Sequence, residues 1–311
     1  MKVSQGNHRS RPVFVGGTGR SGTTVVGDLL GFHDQIRTSV PIEIKFLANK
    51  SGLLQLVFGR DLSEGHKKIS YLNLRARRRR WLSKREKFKK IQGEFLDRIW
   101  VTWWDIDAPP PHGRGLQSGI TKKQLEKLLT ALIFDLRINR VWAARKFMYK
   151  FISSQEGHKG QKYWVETTPL NIAQAERILK LFPNALFINM VRDPRDVIAS
   201  LLTKNWGPTT PLEGIEWIEK RLNDAHNALH KIPSKQQITI SLEDLAINNR
   251  EQTYQSLLTF LALKDSPAMR AFFESKLTPK SATSGRWKSE IATPEFLAAF
   301  AELEKRLAAL D

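Results

Sequence analysis

The stretch from Pro12 to Leu30, PVFVGGTGRSGTTVVGDLL, decides the fold of this chain. Residues 13–15 are apolar and predict a buried strand, and the apolar stretch 25–30, broken by Gly27 and Asp28, predicts the start of a helix. A glycine-rich loop lies between them and contains Gly16, Gly17, Gly19 and Gly22. Glycines let successive N–H groups point into a loop, and a helix start adds further N–H donors and the positive end of its dipole. The stretch therefore predicts an anion-binding loop between a strand and a helix.

This loop differs at one position from the nucleoside-triphosphate loop, G-x-x-x-x-G-K-[ST]. Gly17, Gly22 and Thr24 fit the pattern, but Thr23 stands where a lysine would reach the β- and γ-phosphates. The missing lysine argues against ATP or GTP and favours a phosphate site with another charge pattern, to which Arg20 adds a permanent positive charge. A glycine turn that binds nothing is the simpler alternative. The agreement of strand, loop, threonine pair and helix argues against it.

The composition indicates a globular protein without thiol chemistry. A chain of 311 residues can bury a large core. It contains no cysteine, which excludes disulfides, thiolate metal sites and a cysteine nucleophile. The N-terminal residues MKVSQGNHRSRP lack the apolar core of a signal peptide, and no apolar run approaches the roughly 20 residues of a membrane span. We therefore expect a cytoplasmic protein.

A net charge of +19 favours anionic partners such as a nucleotide, an acidic glycan, nucleic acid or a membrane surface. Part of this charge lies in Leu74 to Lys90, LRARRRRWLSKREKFKK, which holds ten Lys or Arg residues and one Glu. The rest of the chain is also positive, so this run does not account for the whole excess.

Predicted strands and helices alternate along the chain. The predicted strands are 13–15, 36–42, 163–165, 185–191 and 238–241, and the predicted helices are 45–60, 121–152, 171–181, 196–204, 211–231, 251–261 and 294–310. Alternation of this kind indicates an α/β fold: a P-loop-like parallel sheet flanked by helices on both faces. We predict a single domain, 1–311, with a helical, basic and aromatic segment inserted at about 61–150. Residues 278–287 are expected to form a loop.

Arg192 and Ser200 form a second candidate phosphate site. Arg192 directly follows the apolar run 185–191, and Ser200 lies eight residues later, about two turns into the next helix. Ligands of parallel sheets bind at the carboxyl ends of the strands, where the glycine loop also lies. The alternative is that Arg192 only pairs with a neighbouring carboxylate and that Ser200 is an ordinary helix-surface residue.

Three motifs together resemble the sulfotransferases that use 3′-phosphoadenosine 5′-phosphosulfate (PAPS). They are GGTGRSGTT, VRDPRDVIAS and the late basic segment SGRWK. The resemblance covers residues 12–60 and 160–290 but not 61–150, and the loop is most similar to the carbohydrate and tyrosylprotein branches, which share R-S-G-T-T. It implies transfer of a sulfuryl group from PAPS to the hydroxyl of a glycan, glycolipid, natural product or peptide tyrosine, without a metal.

The resemblance also implies a role for each motif. The glycine loop would hold the 5′-phosphate and sulfuryl oxygens, Arg192 and Ser200 would bind the 3′-phosphate, and the C-terminal basic loop would close over it. The loop residues are Gly19, Arg20, Ser21, Gly22, Thr23 and Thr24, and those of the basic loop are Gly285, Arg286 and Lys288. Leu242 stands where the family often has a tyrosine against the adenine.

The general base is expected to be Glu43, in PIEIKF, because the two similar branches place a glutamate shortly after the first helix. Arg20 and Lys45 would assist by neutralising charge, although nearby cations would also lower the pKa of Glu43. Glu166 is the second candidate. The small-molecule branch uses a mid-chain histidine instead, and His112 is the residue here in a comparable stretch.

Three other interpretations were weighed. A P-loop kinase or NTPase would need a lysine at position 23 and a magnesium-binding acid after a strand. A basic nucleic-acid-binding protein would use Leu74–Lys90 and the aromatic cluster Trp100–Trp104, but no recognised motif accompanies them and we expect no nucleic acid. The basic run could also contact a membrane surface. The tryptophans favour a sugar or aromatic acceptor, and the charge favours an acidic one.

Overall fold

A computed structural model describes residues 10–59, 74–106, 115–155 and 161–309. The strands are β1 (Arg11–Gly17), β2 (Ile36–Thr38), β3 (Tyr163–Glu166), β4 (Leu186–Val191) and β5 (Gln237–Ser241). The helices are α1 (Thr23–Gly31), α2 (Leu53–Phe58), α3 (Leu74–Asp97), α4 (Lys122–Asp135), α5 (Arg140–Ser154), α6 (Ala175–Leu181), α7 (Pro194–Leu202), α8 (Pro211–Leu229), α9 (Arg250–Phe260), α10 (Pro267–Lys276), α11 (Pro279–Ala282), α12 (Trp287–Glu290) and α13 (Pro294–Ala308).

The strands form one parallel sheet in the order β2-β3-β1-β4-β5. Strand β1 is central, and it pairs Val13 with Val165 on one side and with Leu186 on the other. The α/β prediction is therefore confirmed. Because the strands are parallel, their carboxyl ends lie at one edge of the sheet, and the glycine loop and Arg192 both follow strands there.

Both faces of the sheet are buried, which explains why β1 and β4 are almost continuously apolar. Side chains alternate between the faces. On one face Phe14 stacks on Phe187, with 5.9 Å between ring centroids, and meets Trp164 edge-on. On the other, Val13 and Val15 belong to a core that includes residues of α1, α9 and α10. A smaller apolar cluster joins α7, α8 and α13.

The chain divides into two compact units. The first comprises residues 1–38, 158–179 and 184–311 and contains the whole sheet. The second comprises residues 39–157 and 180–183 and contains α2 to α5. In its core Phe46 packs edge-on against Phe151, with 5.0 Å between centroids, and Lys146 pairs with Asp135 at 2.7 Å. The single domain with an insertion at about 61–150 stays a prediction.

Several predicted helix and strand boundaries were wrong. The predicted helix 121–152 is two helices, because Asn139 caps α5 by accepting a 2.9 Å hydrogen bond from the N–H of Trp142. The predicted strand 36–42 ends at Thr38, and the described part of the predicted helix 45–60, residues 45–59, is helical only over Leu53–Phe58. Most of the residues between β2 and α2, from 39 to 52, lie in turns and bends.

Three more local features differ from the sequence predictions. The predicted loop 278–287 contains α11 and the first residue of α12, and α10 was not predicted at all. The predicted helix 171–181 begins only at Ala175, so Asn171 precedes it. Its side-chain amide instead donates to the carbonyl oxygen of Val15 at 3.2 Å, which ties the segment after β3 to β1.

Main chain packs closely against main chain at Gly17, the last residue of β1. A Cβ there would overlap the carbonyl oxygen of Met190 and lie 2.6 Å from the Oγ of Ser21. We expect Gly17→Ala to lower the free energy of unfolding by about 1–3 kcal/mol, because neither neighbour can withdraw without moving the site loop. Denaturant unfolding measures this.

Gly93 in α3 is the matched control. Nothing lies within 4 Å of a Cβ at that position. Gly93→Ala should therefore raise the free energy of unfolding by roughly 0.5–1 kcal/mol, since alanine is the better helix residue. Equal effects of the two substitutions would contradict the close contact at Gly17.

Candidate functional site

The loop after β1 leads directly into the start of α1. Gly22 precedes the helix with a left-handed φ of 92°, and no side chain caps the helix. The first turn contains no acidic residue. Leu242, a buried residue after β5, lies 3.0 Å from the place of a Cβ on Gly22 and so packs against this turn. An uncapped helix start without a carboxylate favours an external anion.

Ser21 supports the same conclusion from its side chain. It is wholly buried, and its Oγ has no hydrogen-bond partner within the part of the chain that the structure describes. A buried hydroxyl without a partner costs free energy unless a ligand or water satisfies it. The next residue but one, Thr23, is also buried. The loop therefore fits a bound anion better than an empty turn.

Arg20 joins this loop to the helix that follows β4. Its Nε donates a 3.0 Å hydrogen bond to the Oγ of Ser200, which is buried on α7. The two residues are 180 positions apart in the chain but meet because β1 pairs with β4, with Gly17 opposite Met190. Two of the three motifs from the sequence analysis are thus in direct contact.

Arg192 links three segments through its guanidinium. It donates to the carbonyl oxygen of Arg20 at 3.2 Å and to those of Ala282 and Thr283 at 3.1 and 3.0 Å. Its side chain is only 7% exposed and lies 4.0 Å from the carboxylate of Asp196. Arg192 therefore does pair with a neighbouring carboxylate, as the simpler alternative predicted, but it also contacts the loop after β1. The Nε of Arg192 is buried and has no partner among the described residues.

Positive charge accumulates around Arg192. Burial lowers the pKa of its guanidinium; Asp196 and Glu243 raise that pKa, and the nearby cations of Arg286 and Arg20 lower it. An arginine nevertheless stays protonated in proteins. The cations of Arg20 and Arg286 therefore repel that of Arg192 while Asp196 and Glu243 attract it, and a bound anion would add to that attraction.

The C-terminal basic loop is attached to the first turn of α7. Asp196 is wholly buried and accepts hydrogen bonds from the N–H groups of Gly285 at 2.7 Å and Trp287 at 3.2 Å. Arg195 lies over the indole of Trp287, 4.2 Å from its centroid, while Asp193 holds its guanidinium at 2.8 Å. The sequence analysis missed Asp196 and Arg195, although both stand beside Arg192 in the quoted motif.

The predicted residues of the basic loop have different surroundings. The Nε of Arg286 pairs with Glu290 at 2.9 Å, and Lys288 is exposed at the start of α12. Gly285 has a left-handed φ of 82°, and nothing lies within 4 Å of the place of its Cβ. Asp196 therefore fixes the main chain of this loop, and the loop carries the cations of Arg286 and Lys288.

Glu166 is engaged within the first unit. It is wholly buried, accepts a 3.0 Å hydrogen bond from the N–H of Thr168, and also contacts the hydroxyl of Thr168 and the amide of Asn171. Its carboxylate therefore organises the turn after β3. Glu243 acts similarly after β5, since it accepts from the N–H of Asp193 at 3.0 Å and the hydroxyl of Ser241 at 3.1 Å.

Glu43 and Lys45 belong to the second unit. Both are half-buried in the segment of turns, where Lys45 has a φ of 58° and its carbonyl oxygen accepts from the N–H of Asn49 at 3.1 Å. Their assignment as base and charge partner stays a prediction. His112 lies outside the described residues.

The described residues contain neither a metal-binding cluster nor a helix that could span a membrane. Residues 10–59, 74–106, 115–155 and 161–309 contain no group of three or more His, Cys, Asp or Glu side chains that could hold a metal ion. Among the helices described, none combines the length and the apolar character needed to cross a membrane.

Fold and site together define a parallel α/β protein in which hydrogen bonds join Arg20, Arg192 and Ser200 at the carboxyl edge of the sheet. The sequence model of the Sulfotransferase family matches residues 107–267, about half of the chain. This chain belongs to the Sulfotransferase family, as the three motifs indicated. The match contains Arg192 and Ser200, leaves out the glycine loop and the C-terminal basic loop, and begins within the segment 61–150 where we saw no resemblance.

Solved structures of sulfotransferases are similar to this chain at low identity. They include sulfotransferase STF9 from Mycobacterium avium, at 15% identity over 94% of this chain and 76% of that one, with a TM-score of 0.46. Sulfotransferase STF1 from Mycobacterium tuberculosis H37Rv is 15% identical over 86% of this chain and 71% of that one, with a TM-score of 0.44. The sulfotransferase domain from the curacin biosynthetic pathway is 12% identical over 95% of this chain and 98% of that one, with a TM-score of 0.45. Scores of this size carry no argument about activity. A search of the curated proteins found no match.

Asp196 provides a test of this geometry. We expect Asp196→Asn to lower the free energy of unfolding by about 1–3 kcal/mol, because it weakens the acceptor of two N–H groups and leaves Arg192 without a buried counter-charge. Hydrogen exchange of the amides of Gly285 and Trp287 should become faster. Asp224→Asn is the matched control, since Asp224 pairs with Lys220 at the surface. Unchanged exchange at both amides would contradict the attachment of the loop to α7.

Proposed function

We propose that this member of the Sulfotransferase family uses PAPS as its sulfuryl donor and a hydroxyl group as its acceptor. One observation carries the proposal: at the sheet edge Arg192 donates to the carbonyl oxygen of Arg20 at 3.2 Å, and Arg20 donates to the Oγ of Ser200 at 3.0 Å. Ser21 Oγ and Arg192 Nε, which have no partner among the described residues, support the same kind of ligand. PAPS carries a 5′-phosphosulfate and a 3′-phosphate, so it offers anions to two ends of such a site.

The glycine loop would hold the 5′-phosphosulfate of PAPS. The uncapped start of α1 supplies main-chain donors, Ser21 Oγ supplies a buried hydroxyl, and Arg20 supplies charge. Bound PAPS would present its sulfuryl group for in-line displacement, a reaction that gains from positioning and from donors aimed at the developing charge. Because the donors are already fixed by the fold, little reorganisation is needed when the charge develops.

The 3′-phosphate would be held by Arg192 and Ser200. The Oγ of Ser200 accepts a hydrogen bond from Arg20, so its own O–H can still donate to a phosphate oxygen. The buried Nε of Arg192 is a second donor. Arg286 and Lys288 would add charge from the C-terminal basic loop. Its attachment to Asp196 and Arg195 keeps that loop near Arg192 before any ligand arrives.

Glu43 is the proposed general base, with Lys45 as its charge partner. The acceptor hydroxyl must lose a proton as the sulfuryl group arrives, and a carboxylate can take it. We favour Glu43 over Glu166 because the carboxylate of Glu166 is buried and occupied by hydrogen bonds within its own turn. Similarity to the carbohydrate and tyrosylprotein branches, a sugar or aromatic acceptor and the cytoplasmic location are parts of the same proposal.

A transfer assay tests the donor. Purified protein is incubated with sulfur-labelled PAPS, or with γ-labelled ATP and magnesium, and a panel of phenols, monosaccharides and glycolipids. We expect label to be transferred from PAPS to at least one hydroxyl acceptor and none to be transferred from ATP. Transfer from ATP alone would establish the kinase interpretation in its place.

Glu43→Gln tests the base in the same assay. We expect its kcat to fall by about a hundredfold or more, because general base catalysis contributes that much, while the Kd for adenosine 3′,5′-bisphosphate changes little. Glu126→Gln, an exposed glutamate of the same unit, is the control and should retain full activity. Retained activity in Glu43→Gln would move the role to Glu166 or His112.

A further inference from the structure

The second unit carries a groove that sulfuryl transfer does not explain. It lies between α4 on one side and, on the other, α3 with the helical segment Arg98–Trp103 that follows it. Its volume is about 460 Å³. Its lining is mostly apolar and includes Leu96, Trp100, Leu129, Ile133 and Phe134. Both helices belong to the second unit, so the groove lies within one compact body.

Apolar side chains around this groove project into water. Phe134 is 62% exposed and lines the groove, and Ile138, in the turn after α4, is 72% exposed. Val101, next to Trp100 in the chain, is 82% exposed. Single exposed apolar residues are ordinary, but large ones gathered around an apolar groove mark a contact surface.

Cations accompany this apolar surface on both helices. Arg85 and Lys89 are exposed on the side of α3 that carries Gln92 and Leu96, and Lys122 and Lys123 are exposed at the start of α4. The Nζ of Lys122 lies 5.8 Å from the centroid of the Trp100 ring, so one cation is placed directly beside the groove. Of the basic run Leu74–Lys90, the side chains described are those from Leu82 onward, and they alone supply much of this charge.

We propose that this α3–α4 face docks on the surface of an anionic lipid bilayer. Lysines bind acidic headgroups, and indole, phenyl and aliphatic side chains bury themselves at the boundary of headgroups and acyl chains. Charge complementarity selects this partner over a second copy of the chain, since two such cationic faces repel each other. A nucleic acid would match the lysines, but it would give Ile133 and Ile138 nothing to bury against.

The inference does not depend on the proposed function. Membrane docking would hold whatever the acceptor is, and it would hold for an enzyme that uses another donor. The two can therefore fail separately: vesicle binding is measured without PAPS, and the transfer assay is performed without vesicles.

Vesicle co-sedimentation of the full chain tests the proposal. We expect binding to vesicles of phosphatidylcholine with about 30% phosphatidylglycerol and none to pure phosphatidylcholine, and we expect the binding to weaken as salt is raised. Replacing Lys122 and Lys123 together by alanine should weaken binding by about thirtyfold, since each lysine near an anionic surface contributes about 1 kcal/mol. Phe134→Ser should weaken binding at low and high salt alike.

Matched controls come from the first unit. Leu297 on α13 is 41% exposed, and Lys276 lies at the end of α10. Leu297→Ser and Lys276→Ala should leave vesicle binding unchanged, and thermal unfolding confirms that every variant is folded.

Three results would overturn the proposal. The first is no binding to anionic vesicles at low salt. The second is equal loss in the control variants, which would show only a general charge effect. The third is Phe134-dependent self-association, or binding to duplex DNA or RNA, in a protein that does not bind vesicles. That result would give the face to a second copy or to a nucleic acid.

Discussion

The positive charge of the buried Arg192 guanidinium must be balanced by nearby protein acceptors, and these acceptors bring together the segments of the candidate site. Bulk water hardly reaches this side chain, so carbonyl oxygens of Arg20, Ala282 and Thr283 and the carboxylate of Asp196 replace it. These groups come from the loop after β1, from α7 and from the segment before the C-terminal basic loop. Three segments that are distant in sequence are therefore held around one cation.

The sheet provides the adjacency that this arrangement needs. Strands β1 and β4 pair in parallel, so the glycine loop and Arg192 leave neighbouring strands at the same edge. Apolar residues on both faces of these strands hold the pair in register, and Gly17 permits the close contact with Met190 at its end. Membership of the Sulfotransferase family agrees with this geometry, because sulfuryl transfer requires a donor anion to be fixed while an acceptor approaches.

Local patterns in the sequence predicted the parts of the fold that depend on neighbours in the chain. Apolar runs identified the strands, and glycine spacing identified the loop. The break at Asn139 was missed because a helix-like apolar period continues across it, and a side-chain cap decides the outcome. The attachment of Gly285 and Trp287 to Asp196 could not be predicted, since it joins residues about 90 positions apart. The groove beside α3 depends likewise on the packing of distant helices.

The central claim is that Arg192 binds the 3′-phosphate of a bisphosphate nucleotide. Calorimetric titration with adenosine 3′,5′-bisphosphate and with adenosine 5′-monophosphate, on the natural chain and on Arg192→Ala, tests it most directly. We expect the substitution to weaken the bisphosphate by about tenfold to a hundredfold, as expected for the loss of hydrogen bonds to a charged group, and the monophosphate far less. Equal losses for the two nucleotides would contradict the account.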